Sequence, residues 1–252
     1  MDQRQLGIQG PWVSTIGFGA FKIGRNEQTK YGTEYSLPDE AEVSRLLNEL
    51  LDLGINYIDT APAYGLSEAR IGAAIAHRRA EYILSTKVGE TFENGVSTYD
   101  FSGGAVERSL ERSLQRLKTE TLDVVFIHSN ADDLAIQRDT DAVATLQRLC
   151  EQKLVRQIGL SAKTVAGAEA ALAWADVLMV EYHLQDRAFE PVIAAARAAG
   201  IGIVVKKALA SGKLAAEEGL RFVLNNPGVS TVVVGTLNSQ HMLQNLNAIA
   251  DL

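Results

Sequence analysis

A single cysteine, Cys150, stands in the chain, so no intrachain disulfide framework can form. Its setting, ATLQRLC, reads as one face of a helix, which makes a buried structural thiol the expectation rather than a reactive one. No uncharged apolar run approaches the ~18 residues that a membrane-spanning helix needs. The opening residues, MDQRQLGIQG, lack the charged-then-apolar layout of a secretory leader, and a cytoplasmic protein is expected. Basic residues are in deficit: 24 Lys and Arg stand against 31 Asp and Glu, a net charge of −7. That argues against a broad nucleic-acid surface but leaves room for a small basic pocket. Low-complexity tracts, linkers and short-period repeats are missing too, and no metal site is expected. With 46% hydrophobic and 22% charged residues the balance is that of an ordinary globular protein, and 252 residues suit one domain spanning 1–252.

Alternation is what the sequence does have. Eight short apolar, largely β-branched runs recur, near 14–21 and at 56–61, 82–88, 122–128, 155–161, 177–183, 201–207 and 230–236. Near-continuous apolar runs of this kind fit parallel strands buried on both faces. Helix-period segments separate them, at 38–54, 67–79, 103–117, 139–152, 164–174, 188–199, 216–226 and 238–250. The first of these carries Pro38 and acids in its opening turn and stops at Gly54; the second offers Ser67 as an N-cap. Eight βα units predict an α/β fold, a (β/α)8 TIM barrel, with GIQGPW forming a short N-terminal hairpin across the barrel bottom. An open doubly wound sheet is the competing architecture.

Catalytic groups of such a barrel sit at the C-terminal ends of its strands. Three consecutive predicted strands end on ionisable residues, Asp59, Lys87 and His128, and Tyr64 lies on the loop after the first of them. Each alone has a plain structural explanation: an Asp as a loop anchor, a His as a packed side chain, a Lys snorkelling to solvent. Together they suit one task. A phenol titrates near pH 10 and is a poor acid at neutrality, but a nearby ammonium stabilises its phenolate. Asp59 would keep Lys87 charged, Lys87 would make Tyr64 a workable proton donor, and His128 would orient or protonate a carbonyl.

These residues sit in segments that resemble the aldo-keto reductase family over nearly the whole chain. YIDTAPAYGLSEARIG is similar to the family's Asp and Tyr signature, LSTKVG to its lysine strand, LERSLQRLKTETLDVVFIH to its approach to the histidine, and VRQIGLS and VVVGTLNSQHMLQNL to its cofactor segments. The resemblance implies NAD(P)H-dependent reduction of an aldehyde or ketone, or the reverse alcohol oxidation. In that frame Tyr64 is the general acid, Lys87 and Asp59 tune it, and His128 orients the carbonyl. It implies NADPH as cofactor, with NADH also open. Gly19, Ala20, Phe21 and Asp59 would lie at its nicotinamide end, with Ser161 on the carboxamide. Leu209, Ser211 and Gly212 would line the pyrophosphate, and Gly235, Thr236, Asn238, His241 and Asn245 the adenosine end.

The sequence departs from the family pattern around the nicotinamide. Ala162 stands where many members have Asn, Met179 where a Gln is usual, and Tyr182-His183 where Tyr-Asn is common. Lys206 stands near the place of a stacking aromatic, and His241 replaces an arginine for the 2′-phosphate. Short connections imply an open mouth, with the polar stretch 24–36 as either a lid or a surface loop. The expected partner is a small carbonyl or alcohol, with no nucleic acid and no membrane, in a monomer or small homo-oligomer. Two other classes stay open: a Schiff-base lyase acting through Lys87, and a cofactor-binding regulatory barrel with little turnover.

Overall fold

A computed structural model describes residues 2–29 and 35–252. The stretch 24–36, read as either a lid or a surface loop, lies partly outside the described residues. The chain opens with a hairpin, β1 (Gln3–Gln5) and β2 (Trp12–Ser14), and then enters the barrel at β3 (Ile16–Gly19). Next come α1 (Glu40–Asp52), β4 (Tyr57–Asp59), α2 (Ser67–Ile75) and β5 (Ile83–Val88). A second hairpin follows, β6 (Glu90–Glu93) and β7 (Val96–Tyr99), then α3 (Gly103–Leu117) and β8 (Leu122–His128). Two helices, α4 (Asp133–Asp139) and α5 (Ala142–Glu151), lead to β9 (Val155–Ser161). The last units are α6 (Val165–Ala171), β10 (Val177–Glu181), α7 (Glu190–Ala198), β11 (Gly202–Lys206), α8 (Ala216–Leu224), β12 (Thr231–Val234) and α9 (Ser239–Asn247).

The eight parallel strands close in the order β3-β4-β5-β8-β9-β10-β11-β12. Pairing of β12 back onto β3, with Val232 opposite Ile16 and Val234 opposite Phe18, excludes the open sheet. Alternate side chains point into the barrel, where Tyr57, Val124, Phe126, Val177, Met179 and Val204 pack as an inner core. Leu6 and Val13 of the first hairpin belong to the same cluster, so that hairpin plugs the bottom as expected. The other face of each strand packs under the helices in one continuous outer core.

The structure corrects several local expectations. Pro38 lies just outside α1; Asp39 caps it, accepting from Glu42 N–H at 2.8 Å while Glu42 accepts from Asp39 N–H at 2.9 Å. Ser67 does not cap α2. It is buried in the first turn, hydrogen-bonded to Thr60 Oγ1 and donating to Ala20 O. The helix expected at 139–152 is α5, and a further helix not anticipated, α4, precedes it; Thr140 is extended and its hydroxyl donates back to Ile136 O, ending α4. The hairpin β6–β7 was not anticipated, although Asn94 and Gly95, both at positive φ, are a strong short-range hairpin signal.

Candidate active site

Strand ends bring the four ionisable candidates to one mouth. Asp59 is the last residue of β4, Lys87 the penultimate residue of β5 and His128 the last residue of β8. Lys87 is 1% exposed, and its Nζ donates to Asp59 Oδ1 and Oδ2 at 2.8 and 2.7 Å and to Thr60 O at 2.9 Å. Ser85 Oγ, level with Asp59 in the sheet, donates to Oδ1 at 2.8 Å. Tyr64 ends a single helical turn after β4, and Lys87 Nζ lies 4.7 Å from its ring centroid. Phe21 and His128 each meet that ring edge-to-face, at 5.1 and 6.1 Å between centroids.

Two glycines allow the Tyr64 turn. A Cβ on Gly24 would sit 2.1 Å from Tyr64 O, and one on Gly65, at φ 60°, would sit 2.4 Å from Gly24 O. No larger residue fits either place without moving backbone. The segment 20–24 therefore docks directly on the turn that holds the phenol.

Burial and charge set the proton affinities. Burial works against the charge on Lys87, but Asp59 outweighs it and the pKa is raised, so the ammonium persists. For Tyr64 the balance differs from the expectation. Burial pushes the phenol up to about 12; Lys87 pulls it down, and Asp59 and Glu90 push it up. In the chain without ligand Tyr64 is thus a protonated donor, and Lys87 offsets only part of the burial effect.

Glu90 is a site residue that sequence reasoning missed. It opens β6, is buried, and its Oε2 lies 2.8 Å from His128 Nδ1, although Nδ1 makes no well-aligned hydrogen bond. Burial would raise its pKa, but His128, the Ser97 hydroxyl and Lys163 override that and hold it at about 2. Burial lowers the His128 pKa more than Glu90 raises it, so the pair is a carboxylate beside a neutral imidazole. The Asn94-Gly95 turn was the signal that would have placed Glu90 at the mouth.

Asp59, Tyr64 and His128 line a cavity of about 620 Å³ at the C-terminal ends of the strands, while Lys87 is buried and does not reach its wall. Of the residues expected to hold a cofactor, Gly19, Phe21, Asp59, Ser161, Ser211 and Gly235 line it. The others do not. Ala20 is buried behind Gly19, and Leu209 packs on the outer core. Gly212 is at φ 92° with open space around it. Thr236 and Asn238 bond to each other, and the Asn238 side chain caps α9, which is the ordinary strand-turn-helix role. Asn245 is buried and His241 exposed on α9. Ala162, Met179 and Lys206 also line the cavity, and the Lys206 ammonium donates to both Ser161 Oγ and Ala162 O. The mouth is less open than expected, since Glu90, Ser97 and Tyr99 of the second hairpin wall one side. A broader depression at the opposite end of the barrel holds the Arg79–Asp123 ion pair at 2.7 Å, a position that reads as structural. Cys150 is half-buried, and burial and Asp176 push its thiol to about 11, as suits a structural cysteine. No described helix is long and apolar enough to cross a membrane.

The profile of the Aldo/keto reductase family matches residues 15–219. L-galactose dehydrogenase of Arabidopsis thaliana is 25% identical over 100% of this chain and 89% of its own length. D-threo-aldose 1-dehydrogenase of a Pseudomonas species is 29% identical over 82% of this chain and 69% of its own length. A solved structure from Pseudomonas aeruginosa that bears the family's name superposes with a TM-score of 0.91 at 42% identity, covering 98% of this chain and 94% of that one. The holo form of an aldo-keto reductase from Bacillus halodurans superposes at 0.87 with 27% identity, covering 100% and 92%.

Proposed function

The chain belongs to the aldo/keto reductase family of carbonyl oxidoreductases, and from that premise we propose that it reduces an aldehyde or ketone to an alcohol with NADPH, or runs the reverse. NADH stands as the second choice of cofactor. The observation that carries this reading is the buried Lys87–Asp59 pair beneath the ring of Tyr64, which lines the same cavity as Asp59 and His128.

The residues around the mouth fit a dinucleotide. After β11, Ala210, Ser211 and Gly212 run at φ 47°, 60° and 92°, a tight turn in which Ala210 N–H donates to Lys207 O and Gly212 N–H to Leu209 O, each at 2.8 Å. The N-terminus of α9 stands after the neighbouring strand β12. Helix N-termini and the loops after the last two barrel strands suit phosphate. Ser211 and Gly235 would hold the phosphate region, and Gly19, Phe21 and Ser161 the nicotinamide end. The bound nicotinamide would supply the hydride.

The chain's own residues handle the proton. Tyr64 is protonated at neutral pH and gives its proton to the carbonyl oxygen; Lys87 stabilises the phenolate that remains, and Asp59 keeps Lys87 charged through the transfer. His128, whose Nδ1 faces the Glu90 carboxylate at 2.8 Å, offers its other ring nitrogen to the carbonyl. Because Lys87 is committed to Asp59 as an ammonium, a Schiff-base mechanism through it has no support.

The test pairs binding with turnover. NADPH and NADH are titrated calorimetrically, since neither Trp12 nor Trp174 lines the cavity. Tyr64→Phe should bind NADPH as the native chain does while losing about 10²- to 10⁴-fold in kcat. Absence of binding to both nucleotides, or a Tyr64→Phe variant that turns over normally, would overturn the reading.

A further inference from the structure

The contact between Glu90 and His128 decides which ring nitrogen carries a hydrogen, and so what the ring can offer a substrate. Glu90 is fixed from several sides. Gly89 before it is at φ 97°, and a Cβ there would sit 2.3 Å from the Phe101 ring, so the chain turns from β5 into β6 at a glycine. Ser97 Oγ, on β7, donates to Glu90 Oε1 at 2.7 Å. The hairpin that carries both is held from across the mouth: the Arg25 guanidinium lies 3.3 Å from the Phe92 ring centroid, and Gln28 donates to Gly95 O. Glu90 Oε2 is thereby set 2.8 Å from His128 Nδ1.

At that separation two lone pairs would repel, so a hydrogen lies between the two atoms even though the approach is off the axis of the ring N–H. A carboxyl that titrates at about 2 does not supply it. Nδ1 therefore carries the hydrogen, and in the neutral ring Nε2 is bare. A bare Nε2 accepts hydrogen bonds, and so does a carbonyl oxygen, so the neutral ring has nothing to give a carbonyl. The ring meets one only as imidazolium, with Nδ1–H toward Glu90 and Nε2–H toward the oxygen. A carboxylate at Nδ1 both fixes the ring and stabilises that charged form.

Building on the carbonyl-reductase reading, we propose that Glu90 is a positioning residue for the reduction: it locks His128 with its hydrogen on Nδ1 and supports the imidazolium that meets the carbonyl, so that carbonyl binding takes up a proton from solvent.

The proton taken up stays on His128. Tyr64 still gives its own proton to the oxygen, the hydride reaches the carbon from the bound nicotinamide, and the proton on Nε2 returns to solvent when the alcohol leaves. Charges from every side act on the ring. Burial, Lys87 on β5 and Lys206 on β11 oppose its protonation, and Glu90 on β6 favours it. Tyr64, protonated, meets it edge-on, and Asp59 is paired with Lys87. Lys163 and Arg25 act on Glu90 in turn. The balance holds His128 below its ordinary value, so the free ring is neutral at pH 7 and is charged on binding rather than before it.

The experiment compares the native chain with Glu90→Gln. NMR of 15N-labelled histidine, assigned with His128→Gln, reads the ring tautomer without ligand. Calorimetry of benzaldehyde binding to the NADP+ complex, where no hydride can transfer, is run in two buffers of different ionisation enthalpy and counts protons. Benzaldehyde reduction with NADPH is followed against pH. The native ring should show Nδ1–H and a bare Nε2, and benzaldehyde should take up ~1 proton at pH 7 or above. Native kcat/KM should fall as pH rises above neutrality. Glu90→Gln should show the Nε2–H form as well, take up no proton, keep its NADPH affinity, and lose about 10- to 100-fold in kcat/KM at pH 7, the range for a hydrogen bond to a charged group. Its pH profile should be flatter over the same range. An Nε2–H ring in the native chain, benzaldehyde binding without proton uptake, or a Glu90→Gln variant with native kcat/KM and pH profile would each overturn the proposal. If benzaldehyde neither binds nor turns over with NADPH bound, the reductase reading fails, while the ring tautomer still decides whether Glu90 locks His128. If Glu90→Gln fails to fold, the native tautomer and proton count decide alone.

Discussion

Replacing Asp59 by Asn removes one charge and leaves the shape of the side chain almost unchanged. In the native chain its two oxygens accept three hydrogen bonds, two from Lys87 and one from Ser85. Asn keeps one acceptor and turns the other position into a donor facing Lys87 or Ser85. Lys87 retains Thr60 O but stands 1% exposed without a counter-charge. Breaking a buried pair in this way costs about 3–5 kcal/mol, most of it the penalty of the stranded ion. For a chain of this size that lowers Tm by about 6–20 °C. The assay is urea unfolding followed by circular dichroism, run on Asp59→Asn and on the double variant Asp59→Leu/Lys87→Met. The double variant should be the more stable of the two, since it strands no ion. The pH dependence has a definite sign. In the native chain Lys87 has a raised pKa, so its contribution is present below about pH 10 and lost above it. In Asp59→Asn the unpaired lysine resists protonation, so that variant gains stability as pH rises and the two curves converge in alkali. An Asp59→Asn variant within about 1 kcal/mol of the native chain, or a double variant less stable than the single one, would refute the assignment of the pair.

Further outcomes follow from the same geometry. Lys206→Met should stabilise the fold, because a folded-state pKa of about 7, far below the ordinary lysine value, means that the native state resists a proton the unfolded chain takes up. The gain should be largest below pH 7, up to about 5 kcal/mol, and shrink toward pH 10, as read by urea unfolding at several pH values. Gly24→Ala should cost about 3 kcal/mol or more and depress turnover, since its Cβ would meet Tyr64 O at 2.1 Å; a fully active, fully stable variant would dissociate that turn from the placement of Tyr64. Glu90→Gln should lower the His128 pKa further, measured by NMR titration of the ring. It should also remove stability that the native Glu90, with its depressed pKa, contributes above about pH 4 and loses as pH falls toward 2.

Much of this molecule is determined locally. The eight apolar runs are strands because each is short, β-branched and bounded by turns, and β8 and β9 occupy the residues their runs mark, Leu122–His128 and Val155–Ser161. Asp59, Lys87 and His128 stand out because a polar residue ending an apolar strand breaks a pattern visible in the linear order. What only the tertiary structure decided depends on distance in space. Glu90 and His128 are far apart in sequence and belong to neighbouring units, so their contact exists only once β5 and β8 pair and the second hairpin rises over the mouth. Burial is likewise a property of the packed whole. It carries Tyr64 up to about 12 and Lys206 down to about 7, against the modest shifts that neighbouring charges alone would cause. The sequence placed a lysine at the end of β11; only barrel closure left it facing the cavity, bonded to Ser161 Oγ and Ala162 O.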